Sequence, residues 1–596
     1  MTLSVVRDIA EISRIIESVV SVPIYDIEGI AKEYLVYSST EEGVYSTYVL
    51  DLTTGSKKLV ASNVYWQVAV SENSSKIVFL RDVAKGLELS KVFVYDLDSG
   101  KEEVISADME SQRIIGLAFD GERVSWSGAT KDVAGIYLAK LIEGRVERIL
   151  ETKGREFVSD LNSRYVVGYG HIKGNPFSSE LFVIDLAKSA QEVYTPREGS
   201  TNIAPKIYEN YVLFASNYEN GDKMRLYVLD LESKELREVK LSYSDMDAFK
   251  PTEFVDYGWT RDGLVWAIAK KYGTSKLFLD GALIGLDHGF VSSAALYRGK
   301  AYIVHSSLAK PPRILSIDLS NKTPNVLVKT SLPEEIERRL GEVKFVLVES
   351  FDGLKIPTYV LESRMIPKPG PVVVYPHGGP WSEVSDSWWP MIAALAALGY
   401  HVVAPNFRGS TGYGEKFRSM DIGDPGGADM EDVAAARNWV VISGFSREDQ
   451  VSIVGYSYGG YTTLMQLTKK PKLWRCGVAG APVSDWVKMY ETSDAYYRTF
   501  IEILFGGRKD LFHERSPINY VENIESPLCI IHPQNDSRTP VGPILDFTKE
   551  LVNLGKSFEL HILPGVGHLA ILDKESLTKF LVYTAMFLTR CYQDHF

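Results

Sequence analysis

The chain has 596 residues, of which 45% are hydrophobic, 11% aromatic and 24% charged. That composition belongs to a folded globular protein and excludes long disorder or a fibre. The formal net charge of −12 argues against a broad nucleic-acid-binding face.

Cys476, Cys529 and Cys591 are odd in number and form no CxxC pair, so neither a disulfide framework nor a metal site is expected. The expectation is reduced thiols in a cytoplasmic protein. Within Met1–Val20, the charged Arg7, Asp8, Glu11, Arg14 and Glu17 interrupt any signal-peptide core. The longest apolar run, Trp388–Tyr400, contains Pro390 and Gly399 and falls short of the ~20 residues of a membrane helix. A soluble chain with no membrane partner is expected.

Val5, Val6, Ile9, Ile12, Ile15, Ile16, Val19 and Val20 recur at helical spacing. This predicts an amphipathic helix that buries its apolar stripe against one half of the protein or the other. From about residue 30 to 330, short alternating strands and turns take over. One phrase recurs there: an apolar strand, an Asp, an apolar residue and a turn. Its copies end at Asp51, Asp96, a degenerate Lys140, Asp185, Asp230, Asp280 and Asp318. A repeat of about 45 residues with several strands in each is the mark of a β-propeller. Seven copies predict seven blades, each hiding its faces against its neighbours. A β-sandwich array is the competing arrangement.

Beyond about residue 340 the pattern turns to strand–helix–strand. Strands are expected at 345–349, 357–361, 371–375, 401–405, 451–455, 476–479, 528–532 and 558–563. Such apolar strands predict a mainly parallel sheet with helices on both faces. The expected division is 1–24 for the helix, 25–330 for the propeller and 331–596 for the α/β domain.

The strand Val451–Gly455 runs into Tyr456-Ser457-Tyr458-Gly459-Gly460, and the following residues suit a helix. G-x-S-x-G in a strand–turn–helix context is the nucleophile elbow of an α/β-hydrolase. The serine needs a base, and in this fold the chain order is Ser, acid, His. Three late histidines are available. His561 falls inside a strand and His595 in the C-terminal tail. His568 sits in the Gly-rich loop after the last strand and is the expected base. Asp536 follows the preceding strand and is the expected acid, because Asp485, Asp494 and Asp510 come too early and Asp546 falls in a helix. Two backbone N–H groups are needed for the oxyanion. Tyr458 supplies one. In His377-Gly378-Gly379-Pro380, Gly379 is the first choice for the other and Gly378 the second, with His377 read as structural. Gly409-Ser-Thr-Gly412-Tyr-Gly414 lacks the Lys-Ser/Thr of a phosphate loop and is read as a turn.

A seven-bladed propeller followed by this α/β-hydrolase resembles the prolyl oligopeptidase family of serine peptidases over essentially the whole chain. The stretches His377–Pro380, Pro405–Gly412, Gly455–Tyr461 and His532–Pro540 are similar to those of archaeal acylaminoacyl peptidases. The resemblance implies that the N-terminal helix packs on the hydrolase domain. It implies removal of N-acylated residues from short peptides, with side esterase activity, by Ser457, His568 and Asp536. It places Trp486, Phe500 and Ile501 around an apolar pocket, turns Arg538 toward substrate carbonyls, and sets Arg113 and Phe157 on the cleft.

Dipeptidyl peptidases grip a free amine with paired glutamates. Here Glu41-Glu42 and Glu102-Glu103 lack that motif's aromatic context, so no amine clamp is expected. The resemblance further implies a homo-oligomer, a dimer first, a propeller that filters out folded proteins, and no cofactor. The competing readings are a carboxylesterase or another oligopeptidase of this fold, and a non-enzymatic interaction module.

Overall fold

A computed structural model of the protein describes residues 4–240, 242, 245–286 and 288–593; His595 lies outside them. The helix Ile9–Val20 begins where the Asp8 carboxylate accepts a 2.9 Å hydrogen bond from the Glu11 N–H. Its buried face, Ile12, Ile15, Ile16, Val19 and Val20, packs against the hydrolase helices Pro390–Leu398 and Lys574–Cys591. Arg339 and Glu11 fix its flank through a 2.7 Å ion pair.

Between Tyr25 and Val328 lie seven four-stranded antiparallel sheets. The recurring Asp closes the third strand of most of them. Asp51 accepts from the N–H groups of Thr53 and Thr54, and Asp230 from those of Glu232 and Ser233. Each caps the hairpin into the outermost strand, which is why the residue repeats. Where Lys140 stands instead, the Glu143 and Gly144 N–H groups bond back to its carbonyl. The innermost strands pack side by side, and Tyr25–Ala31 against Phe290–Tyr297 closes the ring without a shared strand. Tyr37, Tyr48, Tyr302 and Ile314 fill that seam, and the Ile27 N–H donates to Ser293 Oγ across it.

From Leu340 the chain builds an eight-stranded sheet in the order 340–349, 355–363, 401–405, 372–374, 451–456, 477–480, 528–533, 558–563. The strand 355–363 pairs antiparallel with both 340–349 and 401–405, and from 401–405 onward every pair is parallel. Successive residues of a strand enter opposite layers. Val373, Val402, Val454 and Ile531 meet the N-terminal helix and its partners; Val372, Val403, Ile453 and Ile530 meet helices 428–442, 458–469 and 541–553. Among the described residues no helix is long and apolar enough to cross a membrane.

The domains are fastened by the loop expected to be a turn. The Gly412 N–H donates to Glu253 and its carbonyl accepts from Thr252 Oγ1, each at 2.7 Å. Beside it, buried Lys270 pairs with Glu383 at 2.7 Å and Glu253 at 3.4 Å.

Candidate active site

The strand Val451–Tyr456 ends at Ser457, whose backbone is turned to φ 59°, ψ −121°, and the helix Tyr458–Lys469 starts at once. A non-glycine residue at positive φ is strained and persists only where its surroundings hold it. The glycines are there for space. A Cβ on Gly455 would stand 2.2 Å from the Gly459 carbonyl oxygen, and one on Gly459 2.1 Å from that of Pro376. The turn leaves Ser457 half-buried at the head of the sheet.

His568 Nε2 lies 2.9 Å from Ser457 Oγ, and His568 Nδ1 lies 2.7 Å from Asp536 Oδ2. Asp536 is buried and richly solvated by protein donors: the N–H groups of Arg538 and Thr539 and the Thr539 hydroxyl. Burial alone raises its carboxyl; the His568 ring and these donors outweigh it and hold the group below the ordinary carboxylate value. Asp536 therefore stays anionic, fixes the imidazole tautomer and is placed to stabilise an imidazolium. His561 stands elsewhere, stacked on Tyr583 at 4.1 Å. Asp485 and Asp494 cap helices, and Asp546 pairs with Lys488.

Tyr458 is the first residue of its helix, so its N–H has no acceptor within the helix. Opposite it runs the loop 377–381. A Cβ on Gly378 would lie 3.3 Å from Ser457 Cβ, which puts this loop against the nucleophile. His377 is buried, stacked on Phe407 at 4.5 Å and bonded to Ser410 Oγ. Two buried carboxyls brace this region from behind. The Tyr458 hydroxyl donates to Asp429 Oδ2 at 2.7 Å, and Trp381 Nε1 donates to Asp421 Oδ1 at 3.0 Å. Burial pushes Asp429 up to about 7 and Asp421 up to about 8. Each leaves one buried oxygen without a protein partner.

The propeller reaches the site through a feature that the sequence reading missed. Glu88, at φ 59°, projects from the loop between strands 76–82 and 90–96 and is buried. It accepts from Arg538 Nε at 2.7 Å, from Arg113 Nη1, and from the Tyr65 hydroxyl at 3.0 Å. Burial alone raises its carboxyl, but Arg538 and Arg113 outweigh it and hold it below the ordinary value. Arg113 also binds Asp494 at 2.6 Å and Ser537 Oγ at 2.9 Å, and Asn535 Nδ2 donates to the Lys85 carbonyl. The loop carrying the acid is thus clasped by the propeller. The Asp82–Glu88 connection that carries this glutamate folds on the Asp82 carboxylate, which accepts from the N–H groups of Ala84, Gly86 and Glu88.

Residues 36–315 match the family model "Acylamino-acid-releasing enzyme-like, N-terminal domain", and residues 387–595 match the "Prolyl oligopeptidase family". Residues 387–595 belong to the prolyl oligopeptidase family. The dipeptidyl aminopeptidase BIII of Pseudoxanthomonas mexicana is 34% identical over 37% of this chain and 33% of its own length. The acylamino-acid-releasing enzyme 1 of Oryza sativa subsp. japonica is 25% identical over 52% and 45%. The chain thus spans a third to a half of the length of these relatives. A Mycobacterium tuberculosis puromycin-hydrolyzing peptidase has the same fold, with a TM-score of 0.81 at 16% identity, covering 96% of this chain and 95% of that one.

The structure divides the substrate residues expected of a prolyl oligopeptidase relative. Trp486 and Ile501 are buried in the domain core, where Trp486 packs edge-on to Tyr461 and Phe505. Phe500 is half-buried and meets Trp381 edge-on at 5.4 Å. Phe157 is half-buried across from Tyr496 at 6.3 Å. Arg538 is bound across the domains to Glu88, and Arg113, which shares Glu88 within the propeller, crosses to Asp494. Glu102 pairs with Arg81 on the outermost strand of its blade and Glu41 with Lys57.

Proposed function

We propose that this chain is a serine peptidase that releases N-acylated amino acids from short peptides. Ser457 attacks the carbonyl of the first residue, and His568 takes the proton and later passes it to the leaving amine. The N–H groups of Tyr458 and Gly379 hold the oxyanion. Water then cleaves the acyl-enzyme by the same path. Esters pass through the same oxyanion, so side esterase activity is expected.

The observation that carries the acyl preference is Glu88. A free N-terminal amine needs an unpaired carboxylate near the serine. Glu88 is a buried propeller carboxylate held against the loop of the acid, and two guanidiniums already neutralise it. A neutral acyl group loses nothing in such a place, whereas an ammonium there would be desolvated without a partner. The family model matched by residues 36–315 supports this reading; the aminopeptidase relative makes the free-amine reading the one to test against.

The test compares acetyl-Leu-p-nitroanilide with Leu-p-nitroanilide, using the protein and its Ser457→Ala variant. Faster turnover of the acetylated compound, abolished in the variant, is expected. Preference for the free amine would overturn the proposal. The working unit is proposed to be a cytoplasmic homodimer whose propeller admits short peptides only. Light scattering at monomer mass, or rapid digestion of a large folded protein, would contradict those points.

A further inference from the structure

Arg155 stands on the propeller side of the cleft, just before the strand Glu156–Leu161. Its guanidinium carbon lies over four half-buried aromatic rings: Tyr496 at 5.0 Å, Phe157 at 5.1 Å, Phe500 at 5.3 Å and Trp381 at 6.0 Å. Two of these rings come close to the chemistry. Trp381 follows the oxyanion loop, two residues after Gly379, and Phe500 packs against it. Nη1 donates to the Tyr496 hydroxyl at 2.9 Å, and Nε is buried without a partner.

The neighbouring cleft arginines all have carboxylates. Arg113 binds Glu88 and Asp494, Arg538 binds Glu88, Arg418 binds Glu415, and Arg498 binds Asp132. Arg155 has none among the described residues. The adjacent Glu156 carboxylate is consumed by the N–H groups of its own turn, residues 153–155. Burial and then the Arg155 charge push His171 down to about 4, so that ring stays neutral and adds no second positive charge.

A caged guanidinium with an unpaired N–H is a carboxylate receptor, because the planar fork matches a carboxylate and the rings hold the fork still. We infer that Arg155 reads the substrate by binding a carboxylate of the peptide. That carboxylate is either the acidic side chain of the acylated first residue or the C-terminal carboxylate of a short leaving peptide. The inference rests on the peptidase reading above, but not on which N-terminus the enzyme prefers.

The test uses isosteric acid and amide pairs. Acetyl-Glu-p-nitroanilide is compared with its Gln analogue for the side-chain source. Acetyl-Leu-Gly is compared with acetyl-Leu-Gly-amide for the C-terminal source. The protein, Arg155→Met and Arg155→Lys are assayed. In the unaltered protein, kcat/KM for the acid of one pair exceeds that for its amide by about tenfold or more, and the pair that responds names the source. In Arg155→Met that ratio collapses toward one while the amide is turned over within about threefold of normal. Arg155→Lys retains part of the ratio. Ratios near one for both pairs in the unaltered protein would overturn the inference. So would an equal loss on acid and amide in Arg155→Met, which is what a purely structural tie between domains gives. If only free-amine substrates are turned over, the acyl proposal fails, and the same ratio measured on Glu- and Gln-p-nitroanilide still decides the role of Arg155.

Discussion

Ser457, His568 and Asp536 are brought to hydrogen-bonding distance although 111 and 32 residues separate the successive pairs. They were legible because each lies at the carboxyl end of a parallel strand, and strand pattern alone puts such loops at one edge of the sheet. Asp536→Asn offers an acceptor and a donor where only an acceptor serves. Loss of the imidazole orientation is expected to lower kcat by about 10⁴, the scale for such a change in a serine triad, as measured by p-nitroanilide turnover. Glu88 and Arg155 were not legible. Their roles come from distances across the two domains, which no local spacing encodes. The buried acids give a pH signature. The Asp429 carboxyl, raised from 3.8 to about 7, holds a proton in the folded chain that the unfolded chain has lost. Stability from this group is therefore full below pH 3.8 and is lost as the pH rises toward 7. Asp429→Asn fixes the neutral form, and the fall in unfolding free energy between about pH 4 and pH 7 should shrink by on the order of 2 kcal/mol. An unchanged slope in urea titrations would show that the carboxyl is not protonated.

Elements were read well where a periodic pattern met a single buried face. The N-terminal helix followed its Ile and Val spacing, but the sequence left its partner open, because a stripe fits any apolar surface. Packing against two hydrolase helices settled it. Ile15 is fully enclosed there. Ile15→Ala should cost about 2–5 kcal/mol in denaturant unfolding, chiefly from the cavity left behind. A cost within about 0.5 kcal/mol would mean that the helix is only loosely docked. The blades were legible through their hairpin Asp residues. The degenerate copy at Lys140 kept its place in the ring because the Ala134–Lys140 strand still pairs on both edges.

At the scale of the molecule, the domains meet through charges that neither domain satisfies alone. Burial works against the Lys270 ammonium, and Glu383 and Glu253 outweigh it to raise its pKa. Lys270→Met leaves two carboxylates facing each other at the interface. The expected cost is about 3–5 kcal/mol, seen as earlier unfolding and faster proteolytic nicking between the domains. Unchanged nicking and an unchanged midpoint would remove this cluster as a fastener.

The central claim is the acyl preference set by a propeller carboxylate that is already paired. A matched pair of short peptides, identical except for N-acetylation, tests it most directly, with products identified by mass spectrometry. Release of the acetyl-amino acid from the acetylated peptide, slow or no cleavage of its free-amine twin, and no product with Ser457→Ala are predicted. Release of an amino acid or dipeptide from the free-amine peptide, with the acetylated one left intact, would contradict the account.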